Sequence, residues 1–123
     1  MCIRDSDLSY KFNYGKLLYK HNFYNEAAQQ FQLSQRSPQK RIESLYYLGL
    51  CFKAKGQMDI AIEQLSKAVA ELPTMDKQKK DILYDLGAMY EESGDVQEAK
   101  SAYKAIYSVD IGYKDVDKKI EGS

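Results

Sequence analysis

The chain has 123 residues, of which 44% are hydrophobic and 29% are charged, and its formal net charge is zero. This length supports one modest core, and a neutral chain has no overall field to attract nucleic acid or an anionic membrane. No apolar run approaches the roughly 20 residues that span a bilayer, so we expect no membrane insertion. A single histidine and two cysteines exclude a histidine metal cluster and a disulfide framework.

The first six residues, 1–6, need separate treatment because they resemble the in-frame translation of a transposon-derived sequencing adapter. The alternative is a short disordered tail, and in both cases these residues receive no function. If they are an adapter, the native N-terminus is missing, and any signal peptide would have been lost with it. A cytoplasmic location is favoured, and a periplasmic one stays open because the native N-terminus would be missing.

Apolar residues spaced by three and four predict helices along the whole chain. The first helix covers residues 10–21, and Asn22 ends it because asparagine tolerates the left-handed backbone conformation. The predicted buried stripe of this helix consists of Tyr10, Tyr14, Leu17 and Leu18. A second helix starts at Tyr24 and stops by Pro38, since proline cannot donate the backbone hydrogen bond that a helix interior needs.

Further helices are predicted at residues 41–55, 58–72, 76–93 and 95–109, with a short terminal helix at about 113–120. Gly56 and Gly94 end two of these helices. Thr74 is the predicted N-cap of the helix near residue 76, with Asp76 in its first turn, where a carboxylate meets the positive end of the helix dipole.

Five sequence columns recur three times and show that the chain is a repeat. Gly49 lies 34 residues after Gly15, and Gly87 lies 38 residues after Gly49. The other four columns are Leu18, Phe52 and Tyr90; Asn22, Gly56 and Gly94; Ala27, Ala61 and Ala99; and Phe31, Leu65 and Tyr103. The repeats occupy about 8–41, 42–75 and 80–113 of one domain at 7–123. The four-residue insertion at about 76–79 is close to one helical turn, so it preserves the buried face.

The middle repeat shows the pattern best, with Gly49 and Ala61 as the small residues where its two helices touch. It resembles the tetratricopeptide repeat, of bacterial type, through Leu48, Gly49, Phe52, Ala61, Leu65, Ala68 and Pro73. The first repeat is weaker, because Lys11 stands where Leu45 stands and Ser34 where Ala68 stands. The resemblance implies an all-α fold, a right-handed superhelical solenoid of three antiparallel helix pairs with a C-terminal capping helix.

The resemblance also implies a non-catalytic scaffold that binds a partner's peptide or helix on the concave face. The candidate groove residues are Phe12, Lys16, Tyr19, Tyr46, Tyr47, Leu50, Lys53, Asp81, Tyr84, Asp85, Ala88 and Glu91. Phe12, Tyr46 and Tyr84 form an aromatic column, which either contacts the partner or stiffens the groove. Lysines fall in the N-terminal part and acids in the C-terminal part, so we expect a ligand with the opposite charge order.

No catalytic, cofactor or metal site is predicted. His21 is expected in an exposed turn, and Cys51 as a small buried hydrophobe. The chaperone-binding members of the family hold a terminal carboxylate with basic side chains. This chain keeps only Lys16 as a cation at the corresponding columns, where it otherwise has Phe12, Tyr47, Asp81 and Asp85, so that mode of binding is not expected.

Two alternatives remain open. One is a regulatory or targeting segment of a larger enzyme or envelope-assembly protein, whose other domain would lie upstream. The other is self-association through the weak first repeat, in which case a polar substitution near Tyr10 or Leu17 would dissociate the dimer. The sequence does not identify the partner.

Overall fold

The computed structural model describes residues 5–121, and this part of the chain is helical without strands. The helices are α1 (Asp5–Lys20), α2 (Tyr24–Ser34), α3 (Arg41–Ala54), α4 (Met58–Ala70), α5 (Lys77–Glu92), α6 (Val96–Tyr107) and α7 (Val116–Glu121). The predicted all-α class is therefore confirmed. Contacts divide the chain into two compact units, unit 1 ending at Ala68 and unit 2 beginning at Val69.

The proposed adapter segment lies only partly within the described residues. Residues 1–4 lie outside them, whereas residues 5 and 6 already belong to α1. The adapter origin of residues 1–6 stays a prediction.

Glycines mark the points where paired helices touch. A Cβ atom at Gly15 would lie 2.9 Å from Phe31 Cε1, and one at Gly87 would lie 2.7 Å from Tyr103 Cε1. At Gly49 the same atom would collide with Leu65 Cδ1 and would lie 3.2 Å from the carbonyl oxygen of Ala61. The prediction that two helices meet closely at Gly49 and Ala61 is confirmed.

The helix-ending turns repeat the same hydrogen bond in all three copies. Asn22, Gly56 and Gly94 have positive φ angles of 70°, 81° and 86°. The residue after each of them donates its backbone N–H to a carbonyl five residues earlier, over 2.9, 2.8 and 2.8 Å. The accepting carbonyls belong to Leu18, Phe52 and Tyr90, which form one column of the repeat. These bonds satisfy carbonyl groups that a helix end leaves without a partner.

The predicted buried stripe of α1 is wrong for three of its four residues. Tyr10 is 72% exposed, Leu17 is 53% exposed, and Tyr14 is also exposed. The helix instead buries Leu8 and Phe12. Because α1 carries apolar residues at helical spacing on two faces, the periodicity alone does not identify the face that packs against α2.

A pair of buried serines explains why the first repeat tolerates a polar residue at a packing position. Ser34 and Ser44 are fully buried, and their hydroxyl oxygens lie 2.6 Å apart in a hydrogen bond. Ser34 also donates to the carbonyl oxygen of Phe31 at 3.3 Å. A buried hydroxyl with a partner avoids the desolvation cost of an unpaired one.

The start of α5 corrects another prediction. The side chain of Asp76, not that of Thr74, is the N-cap, and its carboxylate accepts the backbone N–H of Lys79 at 3.0 Å. Thr74 contributes its carbonyl oxygen, which accepts the N–H of Asp76 at 2.8 Å. A residue three positions before the first helical residue is too early to reach the unpaired N–H groups of the first turn.

We expect Asp76→Ala to lower the free energy of unfolding by about 1 kcal/mol, because it removes the cap of α5. Thr74→Ala is the matched control, and it should change stability by less than about 0.5 kcal/mol because only the backbone of Thr74 is used. Urea denaturation followed by circular dichroism at 222 nm measures both. Equal losses for the two variants would contradict the assignment of the cap.

Unit 2 has a core of its own, which α7 helps to close. Tyr103 and Ile106 of α6 pack with Leu83 of α5 and with Val116, which is fully buried at the start of α7. Ile120 packs on the same cluster from the end of α7. This arrangement places the segment before and within α7 beside α5.

Candidate functional site

Six rings form a contiguous aromatic cluster in unit 1, composed of Phe12, Tyr19, Tyr24, Phe31, Tyr46 and Tyr47. Tyr47 of α3 lies at its centre and stacks on Phe31, with ring centroids 5.3 Å apart and an interplanar angle of 17°. Its edge contacts join it to Phe12, Tyr19 and Tyr46 at 5.9, 5.9 and 5.7 Å. Three helices therefore hold Tyr47 in one orientation.

Phe12 is not an accessible groove residue, in contrast to the prediction. Only 1% of its surface is exposed. The ammonium groups of Lys16 and Lys40 lie 5.0 and 5.1 Å from its ring centroid, where they make cation–π contacts. The surface above Phe12 is therefore cationic. Lys40 was not among the predicted groove residues. Those residues were all taken from the first helix of each repeat, whereas Lys40 lies in the turn before α3.

The other predicted residues of unit 1 lie at the surface. Lys16 and Lys53 are exposed, and the half-buried residues are Tyr19, Tyr46, Tyr47 and Leu50. Tyr46, Leu50 and Lys53 are spaced by four and three along α3, so they share one helix face. Unit 1 thus offers a partly buried aromatic and aliphatic surface with lysines at its edges.

The predicted residues of unit 2 lie on α5, where the chain's own C-terminal segment contacts them. We call residues 110–119 the C-terminal segment. Tyr84 donates its hydroxyl to Asp115 Oδ1 at 2.6 Å, and the hydroxyl of Tyr113 donates to Asp81 Oδ1. Lys119 donates to Glu91 Oε1 at 3.2 Å. Three of the five candidate residues of α5 are thereby engaged within unit 2.

Charged groups extend this contact along α5. Lys80 forms an ion pair with Asp110 at 3.0 Å, and Lys114 Nζ lies 4.5 Å from the ring centroid of Tyr84. The remaining candidates, Asp85 and Ala88, are half-buried. The repeat columns did not predict the C-terminal segment as the partner of α5. The signal lay in its alternating acids and lysines around Tyr113, which complement the charges of α5.

Hydrogen bonding and burial shift the pKa values in this contact. The bond to Asp115 is the main reason why the pKa of Tyr84 rises to about 12, with burial as the second cause. The same bond holds the pKa of Asp115 below its usual value. Burial, followed by the bond to Asp81, raises the pKa of Tyr113. The neutral phenols and ionised carboxylates are therefore the forms that the fold favours.

These shifts predict a loss of stability in alkaline solution. The pKa of Tyr84 in the folded state lies above its unfolded value of about 10. The contribution of Tyr84 to the free energy of unfolding is therefore complete below pH 10 and disappears as the pH rises towards about 12. We expect Asp115→Asn to move the pKa of Tyr84 back towards 10, measured by NMR on ¹³C-labelled tyrosine. Asp117→Asn removes the same charge from an exposed position of α7 and should leave the pKa of Tyr84 unchanged. An unchanged Tyr84 pKa in Asp115→Asn would contradict the hydrogen bond.

The reactive residue types have the placements that the sequence predicts. Cys51 is fully buried, and burial raises the pKa of its thiol to about 11, so the nucleophilic thiolate is disfavoured. His21 is exposed in the turn after α1. Within residues 7–121, no group of three or more His, Cys, Asp or Glu side chains is placed to hold a metal ion. The described helices also include none that is long and apolar enough to cross a membrane.

Comparison with known families identifies the repeats. The tetratricopeptide repeat model matches residues 43–74 and 81–108, which correspond to the second and third predicted repeats. No relative was found among curated protein sequences. The family match thus covers the two copies in which the repeat pattern is strongest.

Solved structures share the fold over nearly the whole chain. The Yersinia enterocolitica type III secretion chaperone SycD, in complex with a peptide of the translocator YopD, is 19% identical, with a TM-score of 0.76 over 95% of this chain and 92% of SycD. The first tetratricopeptide domain of Spaghetti, bound to the HSP90 peptide SRMEEVD, is 12% identical, with a TM-score of 0.77 over 98% and 92% of the two chains.

A third similar structure is PcrH in complex with the chaperone-binding region of PopD. It is 15% identical, with a TM-score of 0.73 over 98% of this chain and 87% of PcrH. At such identities the likeness concerns the fold alone. Together with the matched repeats, it shows that this chain is a tetratricopeptide-repeat protein.

Proposed function

We propose that the protein is a non-catalytic interaction scaffold, and that the aromatic and cationic surface of unit 1 binds a peptide or helix of a partner protein. The contact residues in this proposal are Lys16, Tyr19, Lys40, Tyr46, Tyr47, Leu50 and Lys53. The observation that carries it is the position of Tyr47, which remains half-buried at the surface while four other rings fix it.

A ring held in this way is suited to binding. Aromatic side chains provide a large contact area and have few rotatable bonds, and they are enriched among the residues that dominate binding energies. Because contacts with Phe12, Tyr19 and Phe31 already order Tyr47, little side-chain entropy remains to be lost on association. Leu50, on the same face of α3 as Tyr46, adds an aliphatic contact.

The charges of unit 1 indicate the chemistry of the ligand. Lys16 and Lys40 place two ammonium groups over the same ring, at 5.0 and 5.1 Å from its centroid. A segment with apolar side chains followed by an acidic residue would fill the aromatic surface and pair with these lysines. The structures of SycD and PcrH contain peptides or binding regions of their translocator partners, which supports a peptide ligand for this fold.

The mode of binding should differ from the capture of a terminal carboxylate. Spaghetti is similar in fold and is bound to an HSP90 peptide. In this chain the corresponding columns contain the buried ring of Phe12 and the carboxylate of Asp81, which already accepts hydrogen bonds from Tyr113 and Lys77. We therefore propose an internal segment of the partner as the ligand.

A displayed library of random peptides, selected on the full chain, tests the proposal. The affinity of a selected peptide is measured by calorimetry for the wild type and for two variants. Tyr46→Ala should weaken binding by roughly 30-fold or more, as expected for a hot-spot aromatic, and Lys16→Glu by roughly 10-fold.

The control is Lys104→Glu, which makes the same charge change at an exposed position on α6 of unit 2 and should leave the affinity unchanged. Circular dichroism confirms that each variant is folded. The proposal is wrong if the Tyr46 and Lys16 variants bind like the wild type, or if all three variants lose affinity equally.

A further inference from the structure

A short part of the C-terminal segment, residues 110–115, lies across α5, and we call it the strap. It meets α5 through three residue pairs, which are Lys80 with Asp110, Asp81 with Tyr113, and Tyr84 with Asp115. At about 100° per residue, the three α5 residues of these pairs lie within about 100° of one another around the helix. They therefore form one continuous patch, which we call the α5 surface.

The strap and α7 are held by different kinds of contact. Val116, at the start of α7, is fully buried in the core of unit 2, and Ile120 packs on the same core. The strap is attached to α5 through hydrogen bonds and an ion pair, although Tyr113 also packs against the core. Ile111, between these contacts, is 68% exposed. Because exposed polar contacts stabilise less than apolar burial does, the strap can lift from α5 while α7 stays docked.

The backbone of the strap also favours opening. Lys114 has a φ angle of 42°, in the left-handed region that residues with a Cβ atom rarely adopt. This conformation costs free energy, which the contacts of the closed strap have to offset. Eight residues, 108–115, connect α6 to α7, and they include Gly112. The connection therefore has enough length and backbone freedom to lift between its two buried ends.

We propose that the α5 surface is a second binding surface, which the strap covers as an internal ligand, and that a partner segment with the same pattern of side chains displaces the strap. The pattern is an acidic residue, a tyrosine three positions later, and a second acidic residue two positions after the tyrosine. On α5, the ammonium of Lys80 pairs with the first acid, Asp81 accepts the phenol, and Tyr84 donates to the second acid. The partner is thus an acidic peptide that contains a tyrosine.

This surface is separate from the one proposed in unit 1. The two share no residue, so either proposal can fail while the other holds. A ligand that needs the open strap binds with an affinity reduced in proportion to the fraction of open molecules. If the strap is closed in about nine-tenths of the molecules or more, substitutions that open it should raise the affinity at least roughly 10-fold.

NMR titration of the full ¹⁵N-labelled chain with a synthetic peptide tests this displacement. The peptide has the sequence of residues 109–116 and is blocked at both ends. Tyr113→Ala/Asp115→Asn removes one hydrogen bond of the strap and weakens another, without changing α5. We expect this double variant to bind the peptide at least roughly 10-fold more tightly than the wild type, with shift changes at the α5 surface. Ile111→Ala, at an exposed strap position, is the control and should bind like the wild type.

Further variants identify the surface that binds the peptide. Adding Tyr84→Phe to the double variant keeps the ring but removes the hydroxyl, so it should weaken binding roughly 10-fold. A peptide with asparagine in place of both aspartates should also bind more weakly. Asp110→Asn alone loosens the strap without touching the core or α7, and its affinity should lie between those of the wild type and the double variant. It provides the test if circular dichroism shows the double variant to be unfolded. Equal affinities for the wild type and every strap variant, or no binding to any of them, would overturn the proposal.

Hydrogen exchange of the wild type tests whether the strap opens separately from α7. The N–H of Tyr113 donates to the carbonyl oxygen of Asp110 at 3.2 Å, whereas the N–H of Ile120 lies within α7. We expect the protection factor of Tyr113 to be at least roughly 10-fold lower than that of Ile120. Sodium chloride at about 1 M should lower it further, because salt screens the ion pair of Lys80. Equal protection factors would mean that the strap and α7 open as one unit, and they would overturn the proposal.

Discussion

Phe31→Ala should lower the free energy of unfolding by about 3–5 kcal/mol, which is typical of removing a buried phenylalanine. Phe31 is completely buried in unit 1. Its ring fills the space left by Gly15, stacks on Tyr47, and contacts Phe12 edge to face at 5.8 Å. Alanine would leave a cavity where α1, α2 and α3 meet, and Tyr47 would lose the ring on which it stacks.

Urea denaturation followed by circular dichroism at 222 nm measures this effect. Phe23→Ala is the matched control, because it removes the same side chain from an exposed position in the same unit, and it should cost less than about 1 kcal/mol. Phe31→Leu keeps much of the side-chain volume, so its loss of unfolding free energy should lie between those of Phe31→Ala and Phe23→Ala. If Phe31→Ala were no more destabilising than Phe23→Ala, the described core of unit 1 would be wrong.

Gly87→Ala should destabilise unit 2 by about 1–3 kcal/mol, although alanine is the better helix former. The added Cβ would lie 2.7 and 2.8 Å from Cε1 and Cζ of Tyr103. This ring is buried, and its hydroxyl donates to Glu91 Oε1 at 2.7 Å. A rigid, anchored ring cannot move aside as the end of a leucine side chain can. The clash should therefore outweigh the gain in helix propensity.

Gly112→Ala is the control for this variant. The nearest atom that its Cβ would meet is Asp110 Oδ1 at 3.9 Å, an ordinary contact. We expect a change of less than about 0.5 kcal/mol, measured by the same denaturation experiment. A stabilisation of Gly87→Ala by the helix-propensity difference of up to about 1 kcal/mol would contradict the close approach of α5 and α6.

Much of the fold was predictable because the repeat depends on local and steric rules. Gly15, Gly49 and Gly87 lie in one column because each faces a large side chain of the paired helix. Asn22 and Gly56 lie in another because the backbone there needs a positive φ angle. Such constraints recur in each copy, so comparing the copies reveals them without a structure.

The candidate site was less predictable, because its accessibility depends on side chains from elsewhere in the chain. Phe12 occupies the same column as Tyr46 and Tyr84, yet Lys40 and Lys16 shield it. Tyr84 is engaged by Asp115, which lies 31 residues further along the chain. Repeat columns assign a residue to a helix face. They do not show which distant side chain reaches that face.

The same limit explains the incorrect prediction for α1. Tyr10 and Leu17 have the spacing of a buried stripe, and so do Leu8 and Phe12 on another part of the helix. Only the packing against α2 and α3 decides between the two faces. The exposure of Tyr10 and Leu17 is therefore a result of the structure.

The most direct test of the proposed function is to map a selected peptide on the full ¹⁵N-labelled chain by NMR. We expect the largest chemical-shift changes in unit 1, at the proposed contact residues Lys16, Tyr19, Lys40, Tyr46, Tyr47, Leu50 and Lys53. Residues of α6 should change little. Shift changes confined to α6, or to the C-terminal segment without unit 1, would contradict it.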